Sequence, residues 1–282
     1  MIGKVWVAMS KLHTIGEVAS TCGVSRKTLR FYEELGLLAP DYVCPSNGYR
    51  YYSEDTMHMI PILKYYKQMG FRLNEMSGVG DTANYFYHQQ NFLSKLTELK
   101  KEEERIQNCY QSVSDWLNLL NEGVMATEND ISDISLKYIE QDYYYFMEQP
   151  FEYDYKKSII NITWINYLEQ HNSEITGPVV LYFDDYQEKA AGKCQQVIVT
   201  QKPCKNNQHT LPLKDFGGQM YLCMYHRGNP GESSEKYAHM EAWAKEHDYT
   251  LGPGCYERFV IDYWSLKNQE KFVTEIMIPV AK

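Results

Sequence analysis

The apolar positions near the start of the chain follow the period of an α-helix. They recur three and four residues apart, at Ile15, Val18, Ala19 and Cys22. Thr14 and Glu17 are spaced as a capping box, in which each side chain accepts a hydrogen bond from the other residue's backbone amide. Gly23 supplies the positive φ that ends such a helix. The pattern therefore predicts a short amphipathic helix after Thr14.

A second short helix is predicted directly after this turn. Ser25 is a helix cap, Val24 and Leu29 occupy the positions of a hydrophobic staple, and Gly36 ends the helix. Two short helices joined by a glycine turn indicate a helix-turn-helix, whose second helix would enter the DNA major groove. An ordinary αα-hairpin has the same pattern and is the alternative.

A β-hairpin is predicted next. Asn47-Gly48 is a signal for a type I′ turn, and the strand Tyr49–Tyr52 that leaves it sets Arg50 between aromatic residues. This is typical of a wing whose arginine reaches phosphate or the minor groove while a tyrosine contacts the sugar-phosphate backbone. Tyrosines that simply pack on the helices are the alternative.

A third helix is predicted from Ser53, its cap, to Gly70. Pro61 lies inside this segment. Because an interior proline removes a backbone hydrogen bond, a kink or a split is expected near Ile60.

The segment from Tyr85 to Asn121 contains neither glycine nor proline and carries an apolar seam. The seam positions alternate in steps of four and three: Phe92, Leu96, Leu99, Glu103, Ile106, Tyr110, Val113, Leu117 and Leu120. At 1.5 Å per residue the helix would be about 55 Å long, too long to bury this seam inside one small domain. The seam therefore predicts a dimerising coiled coil, the alternative being a helix packed along its own C-terminal domain.

The C-terminal half contains an internal repeat. The segment LEQHNSEITGPVVLYFDDY at 168–186 is echoed by WAKEHDYTLGPGCYERFVIDY at 243–263. Each copy predicts a helix, a Gly-Pro turn and then strands, and His171 and His247 are expected to cap the C-termini of the two helices. Duplication predicts an α+β domain with a cavity where its halves meet.

Composition and charge narrow the class of protein. A net charge of −9 is unusual for a DNA-binding protein. Residues 1–80, however, carry 9 basic and 7 acidic side chains, so this segment is net positive and is the only one whose charge favours binding to DNA. Seven cysteines without a C-x-x-C pair indicate reduced thiols, and no apolar run reaches the ~18 residues of a membrane span. We therefore expect a cytoplasmic protein, associated with DNA and not with a membrane, and no metal or cofactor.

Three segments, TIGEVASTCGVSRKTLRFYEELGLLAP, NGYRYYSED and LKYYKQMGFRLNEM, resemble the MerR family of bacterial transcription regulators over residues 13–76. The resemblance implies a winged helix-turn-helix in which Phe31 and Tyr32 lie against the DNA backbone and Lys67 on a flanking phosphate. The DNA-binding residues that it implies are Arg26, Lys27, Arg30, Phe31, Tyr32, Arg50, Tyr51 and Lys67.

The segments GPVVLYFDD, HDYTLGPGCYERFVIDYW and VTEIMIPV resemble the GyrI-like effector-binding domain, as it occurs in multidrug-responsive MerR-type regulators. In such regulators an acid at the Asp262 position meets the charge of cationic drugs. The alternation of the last strand also places Glu275 between Val273 and Met277, a carboxylate in apolar surroundings that would attract a cation. The expected ligand-binding residues are Trp164, Tyr182, Tyr237, Asp262, Trp264 and Glu275. Core packing explains each aromatic residue equally well.

The expected fold is therefore a multidomain one: an all-α winged helix-turn-helix reader, a long dimerising coiled-coil helix and a C-terminal α+β duplicated GyrI-like domain. The expected segments are an N-terminal extension (1–12), a DNA-binding domain (13–80), a dimerisation helix (81–122), a linker (123–134) and an effector-binding domain (135–282).

The expected function is that of a homodimeric transcription regulator that senses a lipophilic, cationic small molecule. It would activate transcription by distorting promoter DNA with an overlong spacer, so that RNA polymerase engages. A hydrolase that uses Glu275 as general base and a protein antagonist are the alternatives.

Overall fold

The computed structural model describes residues 11–76, 79, 85–129, 131–205 and 210–282. The chain divides into two units, Met1–Glu103 and Glu104–Lys282. Most of the expected N-terminal extension, the first four residues of the expected dimerisation helix and one residue of the expected linker lie outside the described residues.

The described part of the first unit combines short helices with a small antiparallel sheet. Its elements are β1 (His13–Thr14), α1 (Ile15–Cys22), α2 (Arg26–Glu34), β2 (Tyr42–Val43), β3 (Arg50–Tyr52), α3 (Glu54–Gln68) and a 3₁₀ turn (Leu73–Met76). The strand order is β1-β3-β2. Side chains from all three helices, including Val18, Leu29 and Leu63, form one core.

The predicted helix caps are confirmed. Thr14 and Glu17 form the reciprocal capping box of α1, and Gly23 ends that helix with a φ of 59°. Ser25 Oγ accepts from Thr28 N at 2.9 Å, and Ser53 caps α3 in the same way. Each capping side chain accepts from an amide three residues later, which explains why local sequence was sufficient to predict it.

The predicted type I′ turn is wrong. The amide of Cys44 donates to the carbonyl of Tyr49 at 2.8 Å, and the amide of Gly48 donates to the carbonyl of Cys44 at 2.8 Å, so four residues separate the paired ends. Gly48 has a φ of 70°, but Asn47 lacks the positive φ that a type I′ turn requires. Instead, Asn47 Oδ1 accepts from the amide of Tyr49 at 3.0 Å, a local bond that stabilises the wider loop.

Of the kink or split predicted near Ile60, the split does not occur, because α3 is one helix from Glu54 to Gln68. Pro61 is exposed, so its ring occupies no space in the core. The carbonyl that loses its partner at a proline is satisfied by water when it lies on a solvated side.

The long helix α4 (Tyr85–Glu128) extends beyond the predicted end. We expected a linker from Gly123, but the helix continues through this residue. A Cβ on Gly123 would lie 2.4 Å from Ile261 Cδ1, so glycine allows the helix to pack closely on a strand of the second unit. Tight packing, not helix termination, therefore accounts for this glycine.

The described part of the second unit is built on a nine-stranded sheet. Its strands are β4 (Ser135–Ile139), β5 (Asp142–Pro150), β6 (Ile175–Phe183), β7 (Gln196–Pro203), β8 (Leu213–Phe216), β9 (Gln219–Arg227), β10 (Thr250–Leu251), β11 (Cys255–Ile261) and β12 (Val273–Ala281). The order is β4-β9-β12-β11-β6-β7-β5-β8, and β10 pairs with β12. Neighbouring strands in this order run antiparallel.

Helices cover one face of this sheet. They are α5 (Tyr155–Ile159), α6 (Ile162–Gln170), α7 (Tyr186–Ala190) and α8 (Ser234–Glu246). Their apolar side chains meet alternate residues of the central strands in the main core. A smaller cluster joins Leu119 and Ala126 of α4 to Val260 and Val273. Along the described residues, no helix is long and apolar enough to cross a membrane.

Two histidines cap helices as predicted. His171 follows α6 and His247 follows α8, and the Nδ1 atom of each lies 2.8 Å from the backbone oxygen four residues earlier. The Gly-Pro pairs after them differ in structure. Gly177 lies inside β6, with a φ of 68° at a register shift, so a bulge replaces the expected turn.

Candidate functional site

The first unit presents cationic side chains on its surface. Arg26, Lys27, Arg30 and Lys67 are exposed, and within the described residues none of them belongs to an ion pair. Gly16 makes room for one of these side chains, because a Cβ at that position would lie 3.0 Å from Arg26 Nη2. The helix α2 therefore offers guanidinium and ammonium groups that form no ion pair with any carboxylate of the described residues.

The arginine of the hairpin has a different environment. Arg50 Nε lies 2.6 Å from Glu33 Oε2, and both side chains are about one-third exposed or less. This ion pair ties β3 to α2. The neighbouring Tyr51 is half-buried, with its ring centroid 6.0 Å from that of Tyr42.

The expected contact between Tyr32 and the DNA backbone is wrong. Tyr32 is only 3% exposed and belongs to the core of the first unit, whereas Phe31 is 46% exposed. On a helix, adjacent positions point about 100° apart, so burial of one of these rings exposes the other. The spacing of three residues between Leu29 and Tyr32, which places both on one face of α2, was the signal for the buried ring.

Three of the six expected ligand-binding residues meet at one cavity of about 370 Å³, which we call the tryptophan pocket. They are Trp164, Asp262 and Trp264. The other lining residues are Trp116, Ile159, Ile160, Asn161, Ile162, Ile165, Asn166, Ile175, Val179 and Gln201. Several of these apolar side chains are exposed, so the pocket has an accessible apolar rim.

Hydrogen bonds position the walls of the tryptophan pocket. Trp164 is completely buried, and its indole Nε1 donates to Gln201 Oε1 at 3.0 Å. Its backbone amide donates to the side chain of Asn161, the N-cap of α6. Trp116 of α4 stacks on Trp264, with ring centroids 4.2 Å apart. Trp116 was not predicted as a ligand-binding residue, because the sequence analysis assigned it to the dimerisation helix and not to the effector domain.

Asp262 is the acidic residue of the tryptophan pocket. Its carboxylate is 4% exposed and accepts from the backbone amide of Trp264 at 2.8 Å. Burial raises the pKa of Asp262 to about 6, against the opposing effect of that amide. A cation entering the pocket would favour the ionised carboxylate.

Glu275 does not belong to this pocket. It is buried, as predicted, but its surroundings are not apolar: Arg258 Nε donates to Glu275 Oε2 at 2.8 Å, and Lys137 bonds the other oxygen. Burial alone would raise the pKa of Glu275, but Arg258 and Lys137 outweigh it and hold the pKa below its usual value. Arg258 also donates to Glu122 of α4 at 3.0 Å. The expectation of apolar surroundings was wrong because the charged partners, Arg258 and Lys137, come from other strands.

Tyr182 and Tyr237 lie apart from the tryptophan pocket. Tyr182 packs against Tyr256 in a smaller cluster, on the sheet face opposite to the main core. Tyr237 is buried in the main core, where its hydroxyl donates to Glu257 Oε1 at 2.7 Å. The six expected residues therefore occupy separate places and do not form one site.

The acid beside Tyr237 was missed in the sequence. Glu257 is fully buried on the main-core face of β11, between Cys255 and Phe259. Its carboxylate also accepts from the hydroxyl of Tyr155 at 2.9 Å. The rule that selected Glu275, a carboxylate between apolar residues at every second position, selects Glu257 as well. Among the described residues, no group of three or more His, Cys, Asp or Glu side chains is arranged to hold a metal ion.

Comparisons with known protein families match two separate segments of the chain. Residues 13–79 match the MerR HTH family regulatory protein model, and residues 132–281 match the GyrI-like small molecule binding domain. The chain is 23% identical over 281 residues to the multidrug-efflux transporter 2 regulator of Bacillus subtilis, covering 97% of this chain and 98% of that protein. It is 34% identical over 112 residues to the HTH-type transcriptional regulator CueR of Salmonella typhimurium, covering 38% of this chain and 78% of CueR.

Among solved structures, the chain is similar to EcmrR in a complex with DNA, with a TM-score of 0.43 and 20% identity, over 96% of this chain and all of that one. The matches of both family models and the regulators confirm the family predicted from the sequence. The chain therefore belongs to the MerR family, carries a GyrI-like small-molecule binding domain, and is a ligand-responsive, DNA-binding transcription regulator.

Proposed function

We propose that the ligand of this regulator is a lipophilic cation that binds in the tryptophan pocket and alters how a homodimer holds promoter DNA. One observation carries this proposal: Trp116 of α4 and Trp264 of the effector domain line the same pocket. A ligand in the pocket would contact the helix that also carries the apolar seam. Binding would thereby favour one arrangement of the dimer over another, which is the requirement for a ligand to change activity.

The charge of the ligand follows from Asp262. The pocket is lined mostly by isoleucine and tryptophan side chains, which suit an apolar molecule. The carboxylate of Asp262 has no cationic side chain bonded to it within the described residues. A delocalised cation would be attracted both to this carboxylate and to the indole faces. This supports Asp262, Trp164 and Trp264 as ligand-binding residues.

The homodimer is supported by the exposure of the seam. Most of the predicted seam residues are exposed in the single chain: Phe92, Leu96, Leu99, Ile106, Tyr110, Val113 and Leu117. Aliphatic and aromatic side chains at heptad positions are buried when a second helix packs against them. The opposite side of α4 contacts its own domain, for example through Asn108, which donates to Glu174 at 2.7 Å.

The DNA-binding surface would be formed by α2, the hairpin and α3. Arg26, Lys27, Arg30 and Lys67 carry unneutralised charge toward solvent, and Phe31 is exposed beside them. We retain Arg50 and Tyr51 as wing residues. To contact a DNA phosphate, the Arg50 guanidinium would have to leave Glu33 or bond to both groups. Such contacts fix position and register on DNA. As an activator, the dimer would bend and untwist an overlong promoter spacer so that RNA polymerase engages.

We infer that the effector domain arose by duplication. The six central strands run β5-β7-β6 and β9-β12-β11, with β6 and β11 adjacent in the middle of the sheet. The helices α6 and α8, each followed by a capping histidine, occupy corresponding places in the chain. This order supports two similar halves related by a pseudo-twofold axis. The hairpin β2-β3 supports the winged form of the reader, and we propose that the protein acts in the cytoplasm.

A hydrolase is the less favoured function. Glu275, the candidate base, is held by Arg258 and Lys137, and a carboxylate with a lowered pKa is a poor acceptor of protons. The matched relatives are named as regulators. A protein antagonist would bind a protein partner and respond to no small molecule.

Fluorescence titration of the full chain tests the ligand proposal. The probes are tetraphenylphosphonium, a lipophilic cation, and triphenylphosphine oxide, a neutral molecule of related shape. Wild type should bind the cation more tightly than the neutral molecule. Asp262→Asn should lower the affinity for the cation about tenfold or more and change the affinity for the neutral probe little, because only the cation interacts with the carboxylate. Equal losses for the two probes, or no saturable binding of either, would contradict the proposal.

A further inference from the structure

Lys189 of α7 lies deep in the main core, at Glu257. Its side chain is 4% exposed, and its Nζ atom lies 2.9 Å from Glu257 Oε1, whose side chain is fully buried. Lysine is rarely buried to this extent. The carboxylate also accepts from the hydroxyls of Tyr155 and Tyr237, so its charge is held by three donors.

Four aromatic rings surround the same ammonium group. Its Nζ atom lies 5.1 to 5.9 Å from the centroids of Phe183, Tyr237, Tyr155 and Tyr153. We call these rings and Glu257 the Glu257 cage. Two of the tyrosines donate their hydroxyls to the carboxylate, which leaves their ring faces for the cation. A buried carboxylate within a set of ring faces is a chemical environment that recognises a desolvated organic cation.

We propose that Lys189 is a built-in occupant of a cation-binding site, and that it is a specificity-determining residue because it excludes external cations from the Glu257 cage. The ammonium group reaches the cage on a four-carbon stem from a helix of five residues, Tyr186–Ala190. The amide of Lys189 donates to the carbonyl of Asp185 at 3.0 Å, which holds the base of the stem in place.

This assignment distinguishes the Glu257 cage from the tryptophan pocket. In the tryptophan pocket, Asp262 has no bonded cationic side chain among the described residues, so an external cation finds a free carboxylate. In the Glu257 cage, the carboxylate is already paired, so an external cation would have to displace Lys189. The wild-type chain should therefore bind small alkylammonium ions poorly in the Glu257 cage. This expectation does not depend on which ligand the tryptophan pocket binds.

Chemical rescue tests the proposal. Lys189→Ala removes three carbons and the ammonium group, so n-propylammonium has the size and charge of the missing part. Four of the five tryptophans follow residue 104, so tryptophan fluorescence during thermal unfolding of the full chain reports mainly on the second unit. The variant should unfold on the order of 5–10 °C below wild type, because Glu257 loses its cationic partner.

At about 20 mM, n-propylammonium should raise the unfolding temperature of Lys189→Ala by about 3 °C or more. Wild type should not respond in this way, and neither should the variant with 1-propanol, which has a similar size but no charge. Lys214→Ala is a matched control, because the Lys214 Nζ atom lies 4.4 Å from the ring centroid of Tyr182 and forms no ion pair with a carboxylate of the described residues. This variant should not be rescued.

The double variant Lys189→Ala/Glu257→Gln removes the charge of both partners and should fold without responding to the amine. If Lys189→Ala unfolds, recovery of folded protein by n-propylammonium during refolding supports the proposal. Failure of the amine to restore Lys189→Ala, while the double variant folds, would overturn it. Equal responses of wild type and Lys189→Ala would also overturn it, and neither result depends on the tryptophan pocket.

Discussion

Trp116 and Trp264 stack with their ring centroids 4.2 Å apart and their planes inclined by 21°. The first belongs to the long helix α4 and the second follows β11 of the effector domain. Both rings also line the tryptophan pocket. A ligand bound in this pocket would therefore be connected directly to the helix that carries the proposed dimerisation seam.

Removing the α4 half of this stack should weaken the ligand response. We expect Trp116→Ala to lower the affinity for tetraphenylphosphonium about tenfold, because the pocket loses one aromatic wall and Trp264 loses its support. Fluorescence titration measures the affinity. Trp243→Ala is the control, because Trp243 stacks on His247 at 4.0 Å and does not line this pocket. Equal losses in the two variants would contradict a specific role for Trp116.

Asp262 should make the stability of the effector domain depend on pH. Its pKa is about 6 in the folded chain and 3.8 in the reference state, so ionisation opposes folding by about 3 kcal/mol above pH 7 and has no effect well below pH 4. Asp262→Asn should therefore be more stable than wild type by about 2–3 kcal/mol at pH 7.5. The gain should shrink as the pH falls through 6 and disappear well below pH 4. Urea unfolding at several pH values measures this difference.

Asp154→Asn is the control of opposite sign. Hydrogen bonds from the amide and the side chain of Lys157 lower the pKa of Asp154, so its ionisation favours folding. This substitution should destabilise the chain at neutral pH, and its effect should fade in acid. A gain from Asp262→Asn that stayed constant from pH 4 to pH 8 would show that ionisation is not the cause.

Glu275 should act on stability and not on ligand choice. Glu275→Gln removes the buried carboxylate that Arg258 and Lys137 share, while Arg258 keeps Glu122 as a partner. The loss of stability should therefore not exceed the about 3–5 kcal/mol that breaking a fully buried ion pair costs. We expect a lower free energy of unfolding, with the preference for tetraphenylphosphonium over triphenylphosphine oxide unchanged in the folded protein. Loss of that preference in Glu275→Gln would show that Glu275 contributes to ligand binding.

The seam should be sensitive to charge. Leu117 is 56% exposed at a seam position, so Leu117→Glu would place two carboxylates opposite each other in a dimer and should yield monomers at micromolar concentration. Light scattering after gel filtration measures the mass. Ser94→Glu adds the same charge at an exposed position outside the seam and should leave the dimer intact. Identical masses for the two variants would contradict the seam.

Arg26 should contribute to DNA affinity through phosphate or base contacts. An operator selected from random DNA with the full chain provides the probe. We expect Arg26→Ala to weaken operator binding, and if the contact is to phosphate, the salt dependence of the logarithm of affinity should fall by about 2 per dimer. Lys101→Ala, an exposed lysine of α4, should leave both unchanged. An unchanged affinity in Arg26→Ala would remove this residue from the interface.

The parts of the fold that depend on neighbouring residues could be predicted from the sequence. The capping residues Thr14, Ser25 and Ser53 bond to amides within three positions, and the seam of α4 follows a simple period. The turn at Asn47 was misjudged because its side chain favours a competing local bond to Tyr49. Gly123 was misread as a helix end because its close neighbour, Ile261, is distant in the sequence.

The site could be predicted only in part, for a related reason. Asp262, Trp164 and Trp264 meet in one cavity, but the partners of Glu275 come from strands that the sequence does not align. Glu257 faces the main core, whereas its neighbour Arg258 faces Glu275 on the other side of the sheet. Register and pairing between strands decide these contacts, and neither can be read from one strand alone.

Occupancy of the tryptophan pocket should change the activity of the proposed dimer on DNA. In vitro transcription from a promoter that carries the selected operator tests it, with wild type and Trp116→Ala each saturated with tetraphenylphosphonium. We expect the ligand to raise transcription with wild type about fivefold or more, and to have little effect with a Trp116→Ala dimer that still occupies the operator. Unchanged transcription with ligand-saturated wild type on the same operator would show that the tryptophan pocket does not control the activity of the regulator.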